Sequence, residues 1–318
     1  MTPRHQLLAV LTAAIWGFNF VVIQWGMAGV PPLLFVAVRF LVVAAPAVLL
    51  IAPRPPVALW KIAVVGTFLS LGQFAFLYLS IDAGMPAGLA SLVLQSQVVL
   101  TIVVATLVLR ELPTRPQVIG VVLGTVGLVV VAAGRDGEVP LPALLLCLCA
   151  ACSWAVGNVV VRALKVPGGL SLTIWSALVV PVPMLLLSLL VDGPDGVSDG
   201  FAAFGWKAVV STAYTAVLAS FVGYGVWNSL LARYPSSEVV PWVLLVPPVG
   251  ILSAWLCLGE TPGVAELAGG VVLVLGVLVA QGRLRRATAE GRPAPTPGPA
   301  PQTPAGAPAT EEHPGRTR

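Results

Sequence analysis

Ten apolar stretches, each close to the length of a bilayer span, fill the chain from Leu7 to Gly282. They lie near 7–28, 33–52, 62–81, 87–109, 117–134, 141–161, 170–191, 208–232, 236–258 and 264–282. A hydrocarbon core about 30 Å thick is crossed by about 20 residues of helix. Lipid offers no water to an unpaired backbone, so each stretch is expected to be an α-helix. The fold class expected is an all-α integral membrane protein with ten transmembrane helices. Composition agrees: 58% of residues are hydrophobic and 9% charged, with a mean hydropathy of +0.96. A soluble domain does not read this way, and no connection between spans is long enough to hold one.

The formal net charge of +4 is spread over helix ends rather than gathered in a basic patch, so no nucleic-acid partner is expected. The partners implied are the lipid bilayer and a small-molecule substrate. The segment Met1-Thr2-Pro3-Arg4 is positive and precedes an apolar run. No small-x-small cleavage site follows it, and the first stretch reads as an uncleaved helix. Cys147, Cys149, Cys152 and Cys257 all fall in spans, and neither His nor a carboxylate separates the first three. They read as apolar packing, not as a disulfide framework or a metal site. No metal and no cofactor is expected.

Lysines and arginines set the expected orientation. Eleven lie on the N-terminal side of the membrane: Arg4, Arg54, Lys61, Arg110, Arg115, Arg162, Lys165, Arg233, Arg283, Arg285 and Arg286. Arg135 and Lys207 alone lie on the other side. Cytoplasmic loops carry the Lys/Arg excess. Both termini are therefore expected in the cytoplasm, in a multi-pass protein of the cytoplasmic (inner) membrane. The acidic segment 192–200 is expected as an external loop. Residues 287–318, rich in Pro, Ala, Gly and Thr, have no apolar period and are expected to be a disordered cytoplasmic tail.

The chain repeats itself. Ile15-Trp16-Gly17-Phe18-Asn19 in span one resembles Ser153-Trp154-Ala155-Val156-Gly157-Asn158 in span six. Arg110-Glu111-Leu112-Pro113 before span five resembles Gly259-Glu260-Thr261-Pro262 before span ten. Gly120 and Gly127 map to Gly269 and Gly276 at the same offset of 149, whereas the Trp pair is offset by 138. The two offsets differ by 11, about the size of the acidic segment. Two five-helix halves follow, over 5–136 and 141–283. Five is odd, so the second half enters from the opposite face. Inverted repeats of this kind mark alternating-access transporters.

This architecture resembles the drug/metabolite transporter superfamily with two EamA-type units. The runs Trp16-Gly17-Phe18-Asn19-Phe20-Val21-Val22-Ile23, Met85-Pro86-Ala87-Gly88-Leu89-Ala90-Ser91-Leu92-Val93-Leu94-Gln95 and Val222-Gly223-Tyr224-Gly225 are similar to that family. So are Gln73-Phe74-Ala75-Phe76-Leu77 and Val243-Leu244-Leu245-Val246-Pro247. Within the family they resemble most its bacterial exporters of O-acetylserine and cysteine. The resemblance covers about residues 5–285. It implies efflux of amino acids or related metabolites, which composition and spacing do not show.

Polar groups inside the spans are the candidates for a site. Arg39 is the only charge well inside one, and an arginine at depth costs at least about 2.5–3.5 kcal/mol. It reads either as a two-pronged partner for a substrate carboxylate or as a guanidinium that snorkels or binds backbone carbonyls. The second half has Ala177 at the matching position. Trp16 and Asn19 on span one, with Trp154 and Asn158 on span six, either line a cavity or bond helices together. Gln73, Gln95, Tyr224 and Asn228 complete the candidate substrate-binding set. Gln97 cannot share a face with Gln95. Arg162, near a helix end, is expected to snorkel. Glu111 and Glu260 are expected to stabilise the N-terminus of the helix that follows each, with a gating role as the alternative. Asp82 is a candidate proton site. The glycines of spans five and ten read as a close-packed scaffold and a candidate homodimer contact. Pro46, Pro181, Pro183, Pro241, Pro247 and Pro248 are expected to kink spans two, seven and nine.

The leading function is a secondary transporter working by alternating access. The alternatives are an integral-membrane enzyme or a non-transporting scaffold. His5 and His313 both lie outside the spans, and no nucleophile–base pair is legible. No Gly-x-x-x-x-Gly-Lys-Ser/Thr motif is present.

Overall fold

The structure, a computed structural model, describes residues 1–50, 53–134, 139–166 and 169–281, without the side chains of 45–50, 236 and 237. Arg135, Arg283, Arg285, Arg286 and the tail from Ala287 lie outside the described residues, as does the side chain of Pro46. Every regular element among the described residues is helical. Nine helices are long and apolar enough to cross a bilayer: Pro3–Gly26, Leu59–Asp82, Ala87–Leu109, Arg115–Ala133, Leu141–Ala163, Leu170–Val191, Trp206–Arg233, Val240–Leu258 and Val264–Gln281. Pro32–Leu50 is the tenth, 19 residues with Arg39 as its sole charge. These are spans one to ten, with Pro32–Leu50 second. Large apolar side chains such as Leu107, Leu190, Leu256 and Val264 stand on the outer surface, each more than 60% exposed. A monomer in water does not carry such a belt; a multi-pass membrane protein does.

Local chemistry sets the helix ends. Span one starts at Pro3, where a missing N–H costs nothing, and the Thr2 side chain accepts from the His5 backbone. Span five starts with a capping box in which Gln117 accepts from the Thr114 backbone N–H at 2.8 Å. Span ten starts with Glu266 accepting from the Gly263 N–H at 3.0 Å.

The two halves share their irregularities. Span three carries a π-helical stretch at Thr67–Gly72, and span eight one at Tyr214–Gly223. Shifted by 149, the first falls inside the second. Span four has a 3₁₀ turn at Leu94–Ser96; span nine has one at Val240–Leu245, which again contains the shifted position. Spans four and nine both end on a left-handed residue, Arg110 (φ 55°) and Gly259 (φ 71°). Conserving such departures from ideal geometry at one offset is the signature of a duplicated unit.

The halves also interlock. Span one packs on spans eight and nine of the other half, and span six packs on spans three and four. Spans five and ten pair along their length. Their glycines face each other: a Cβ on Gly127 would lie 2.5 Å from the Leu273 nitrogen and 2.6 Å from the Gly269 oxygen. One on Gly120 would lie 2.5 Å from the Gly276 oxygen. Backbones approach this closely only where side chains are absent. The glycines of both spans therefore serve the scaffold within one chain.

Three expectations change. The acidic segment is not a loop: Gly193–Ala202 is a helix, started by Pro194 and by Asp195 in its first turn. Its Val197 is buried, and its Gly200 sits against Pro31 and Leu34. Glu111 and Glu260 do not cap the helices that follow them; Thr114 with Gln117, and Glu266, do that. Arg162 does not simply snorkel, because its Nη2 lies 2.6 and 2.8 Å from the two oxygens of Glu111. Of the prolines, Pro181 begins the second part of span seven after a break at Leu178–Val180, and Pro241 sits in the 3₁₀ turn of span nine.

Candidate substrate cavity

A cavity of about 290 Å³ opens between spans two, three, six, seven and eight. That is close to the lower end of the range for small-molecule sites, about 300–1,000 Å³. Its lining runs from Arg39, Gln73, Phe74 and Tyr224 at mid-depth to Val161, Gly169 and Leu170, where span six ends and span seven begins. This is the mouth. The lining is mainly apolar and aromatic, with Ser70, Asn158, Thr173, Ser176 and Ser220 as neutral polar groups.

Arg39 dominates the electrostatics. It is 3% exposed. Its Nη1 donates to the Tyr78 hydroxyl at 2.6 Å. Its guanidinium carbon lies 4.7 Å from the Phe74 ring centroid, 5.3 Å from that of Phe40 and 5.8 Å from that of Tyr78. The rings present their negative faces to the cation, each worth about 0.5–2 kcal/mol. The Nε–H has no partner among the described residues, and no Asp or Glu lines the cavity. A buried donor left unmet costs about 1–3 kcal/mol. The cage therefore solvates the charge without neutralising it. The guanidinium does not snorkel, and among the described residues it binds no backbone carbonyl.

The backbone irregularities bring these residues together. A π-helical stretch widens the turn and shifts the face a helix presents. On span three it lets Leu69, Ser70, Gln73 and Phe74 all reach the lining. On span eight the same device presents Ser220, Phe221 and Tyr224.

Of the residues singled out in the sequence, Arg39, Gln73, Asn158 and Tyr224 line this one cavity, and Trp154 joins them. Asn158 also donates to Gln97 Oε1 at 3.2 Å. The other four sit elsewhere. Trp16 donates from its indole to the Ala219 carbonyl at 2.9 Å and packs on Tyr224 and Trp227 at 5.2 and 5.4 Å. It supports the cavity wall from behind. Asn19 and Gln95 are buried, each with a side-chain oxygen that has no partner among the described residues. Asn228 donates to the Tyr224 carbonyl at 2.8 Å, back-bonding within its own helix.

The sequence reading missed the cage. Phe74 and Tyr78 are four apart on span three, and Ser70 four before them, so a polar-aromatic stripe was present in the pattern. Nothing in the sequence said that Arg39 of span two faces it. The candidate proton site Asp82 lies at the end of span three, exposed and away from the cavity lining. Among the described residues no group of His, Cys, Asp and Glu can hold a metal ion. Cys147 is buried, while Cys149, Cys152 and Cys257 are exposed and free.

The profile of the EamA-like transporter family matches the chain twice, over residues 4–133 and 141–281. The chain belongs to the EamA-like transporter family. A relative from Salmonella typhimurium named "Probable amino-acid metabolite efflux pump" is 41% identical over 285 residues, spanning 88% of this chain and 95% of its own. The Escherichia coli protein of the same name is 38% identical over the same shares. A "Probable terminal-alkyne amino-acid exporter" from Streptantibioticus cattleyicolor is 29% identical over 220 residues, 66% of this chain and 71% of its own. A crystal structure matches with a TM-score of 0.59 at 19% identity, covering 90% of this chain and 99% of that one, which supports the fold alone. The protein is thus a membrane transporter of this family and not an enzyme.

Proposed function

We propose that the protein exports amino acids or closely related small metabolites across the cytoplasmic membrane by alternating access, holding the substrate carboxylate on Arg39. The observation that carries the reading is the caged guanidinium: a buried charge with no acid beside it and one N–H unmet, on the wall of a metabolite-sized cavity. A carboxylate entering there would form charge-assisted hydrogen bonds, in two-pronged geometry, with a donor that no protein group satisfies. Gln73, Asn158 and Tyr224 would read the rest of the molecule. The names of the relatives at 41% and 38% identity favour amino-acid metabolites. The resemblance to O-acetylserine and cysteine exporters favours small polar side chains.

Each repeat, 5–136 and 141–283, is one rocking unit in this scheme. The Lys/Arg distribution supports a cytoplasmic side for both termini and the cavity mouth, as an exporter loading from the cell interior requires. Everted vesicles test the reading. Labelled cysteine and O-acetylserine should accumulate in vesicles carrying the protein, above empty vesicles and with saturation. Their carboxamide analogues should not compete. Equal competition by acid and amide overturns the carboxylate reading. Running the assay with and without a pH gradient reports whether protons drive the cycle.

A further inference from the structure

Glu111 and Glu260 are repeat-related and both reach across the halves, but only Glu260 accepts from backbone N–H groups; Glu111 pairs with a side chain, Arg162. Pro86 and Pro235, the left-handed Arg110 and Gly259, Glu111 and Glu260, and Pro113 and Pro262 all obey the offset of 149. The offset also maps Ala87 and Gly88, which open span four, onto Ser236 and Ser237, which open the short helix Ser236–Val239 that leads into span nine. Glu260 reaches across the two halves. Its oxygens accept from the backbone N–H groups of Ala87 and Gly88 at 3.0 and 3.1 Å. The contact is tight: Ala87 and Ala254 are fully buried, and a Cβ on Gly88 would stand 3.1 Å from Ile251 Cα and 3.2 Å from Ala254 Cβ. It lies at the end of the bundle where spans four and six begin, since Gly84 and Pro140 meet there. The cavity mouth is at the other end. Glu111 is at the mouth end, and there it is held by Arg162, one residue past the lining residue Val161. That pair is about half exposed on both sides, so solvent screens it and it holds weakly.

We propose that Glu260 and Glu111 are a pair of alternating latches. In the state described here Glu260 clamps the first turn of span four and shuts the end remote from the mouth. When the mouth closes, Glu111 leaves Arg162 and accepts from the Ser236 and Ser237 backbone N–H groups in the short helix that leads into span nine. Glu260 then releases span four, and the cavity opens at the other end. Each carboxylate clamps the opposite half, so the two latches are the same device used twice by the repeat. The chain ends of spans four and nine supply it: a left-handed residue turns the backbone so that the glutamate that follows points back over the bundle. The inference rests on the alternating-access part of the proposed function, and not on the identity of the substrate.

The test reads mouth opening directly. A Leu170→Cys reporter at the mouth is labelled with a membrane-impermeant maleimide in protein reconstituted in lipid nanodiscs without substrate. Both faces are open to reagent in nanodiscs, so orientation does not enter, and the parent chain with its own four cysteines sets the background. Glu260→Ala releases the clamp and should slow labelling on the order of tenfold, the worth of a lost charged hydrogen bond. Glu260→Gln keeps an acceptor without the charge and should slow it less. Glu111→Ala removes the other latch and should speed labelling or leave it at its ceiling, while transport in vesicles is lost. Arg162→Ala frees Glu111 for span nine and should slow labelling. The last two decide the matter. If Glu111 and Arg162 were merely a salt bridge, removing either would act in the same direction. Equal signs for Glu111→Ala and Arg162→Ala, or labelling unmoved by Glu260→Ala and Glu260→Gln in folded protein, overturns the proposal. Absence of amino-acid transport with these labelling shifts intact would instead count against the substrate reading.

Discussion

Replacing Arg39 separates the two things a buried arginine can do. In the apo protein the side chain is an expense: insertion at depth costs about 2.5–3.5 kcal/mol, and the unmet Nε–H adds about 1–3. Against this stand one hydrogen bond to Tyr78 at 2.6 Å and three ring contacts within 6 Å, worth together about 2–6 kcal/mol at about 0.5–1.5 for each. The two sides nearly cancel. Arg39→Gln is therefore expected to change the stability of the substrate-free protein by no more than about 2 kcal/mol, read as retained monodispersity and a small shift in Tm. Transport should respond very differently. A two-pronged pair with a carboxylate contributes two charged hydrogen bonds at about 1.5–3 kcal/mol each. Taking about 3 kcal/mol in all as a floor, and about 1.4 per tenfold, Arg39→Gln should lower initial transport at sub-saturating substrate on the order of a hundredfold. Arg39→Lys keeps the charge but not the planar fork, so the loss should be nearer tenfold.

The assay is initial uptake into everted vesicles, normalised to folded protein, for an amino acid and its carboxamide in parallel. The amide cannot form the charged pair. It should be the poorer substrate of the parent protein, and its uptake should fall by less than about fivefold in Arg39→Gln. If acid and amide fall by the same factor, Arg39 acts through structure. The carboxylate must then be sought among Gln73, Asn158 and Tyr224. If stability collapses while a folded remnant transports normally, the cage is a fold determinant and the ledger above is wrong.

The remaining expectations are simpler. Ser198, exposed on the helix Gly193–Ala202, should react as Ser198→Cys with an impermeant maleimide from outside intact cells; reaction only after lysis reverses the proposed orientation. Gly127→Leu must push apart backbone 2.5 Å from the new Cβ, so it should cost at least about 1–3 kcal/mol and lower Tm by several degrees, whereas Val126→Leu, about half exposed on the same helix, should be nearly silent. Trp16→Phe loses the bond to Ala219 but keeps the ring contacts, so stability should fall by about 1 kcal/mol with KM unchanged within about twofold; a KM rise of tenfold would make Trp16 a substrate ligand after all.

How much of this could be read from residues alone follows from what each signal depends on. Span number, span type and the duplication rest on composition and on offset, both of which are one-dimensional, and the structure keeps all of them. Helix faces were harder. A period of 3.6 fails wherever a π-helical or 3₁₀ turn intervenes, as at Thr67–Gly72, Leu94–Ser96 and Tyr214–Gly223. Those are the stretches next to Gln73, Gln95 and Tyr224, so which of them reaches the cavity could not be settled by spacing. The two glutamates failed for a related reason. Proximity in sequence suggested the next helix as their partner, but Glu260 caps a helix 173 residues away. The helix at Gly193–Ala202 was hidden by its Gly, Pro and Asp content, which reads as a turn until the burial of Val197 and the packing of Gly200 against Pro31 and Leu34 are known.

The two halves are alike in scaffold and unlike in charge, and that combination suits an exporter of asymmetric molecules. The π-helical and 3₁₀ turns, the left-handed caps and the facing glycines all recur at one offset, so the two conformations exchanged by rocking can have similar energies. That near-degeneracy is needed if modest interactions, such as one carboxylate–backbone clamp, are to bias the equilibrium. The site breaks the symmetry. Arg39 has Ala177 as its counterpart, and the first half's Phe40, Phe74 and Tyr78 map to Leu178, Gly223 and Trp227, so the second half does not repeat the cage among the described residues. Under the proposed function, a substrate with one acid group has one orientation in the cavity and stays on span two through both states while the gates exchange around it. On that proposal, duplication supplies the moving frame, and a charge present in only one copy sets the direction in which the molecule is read.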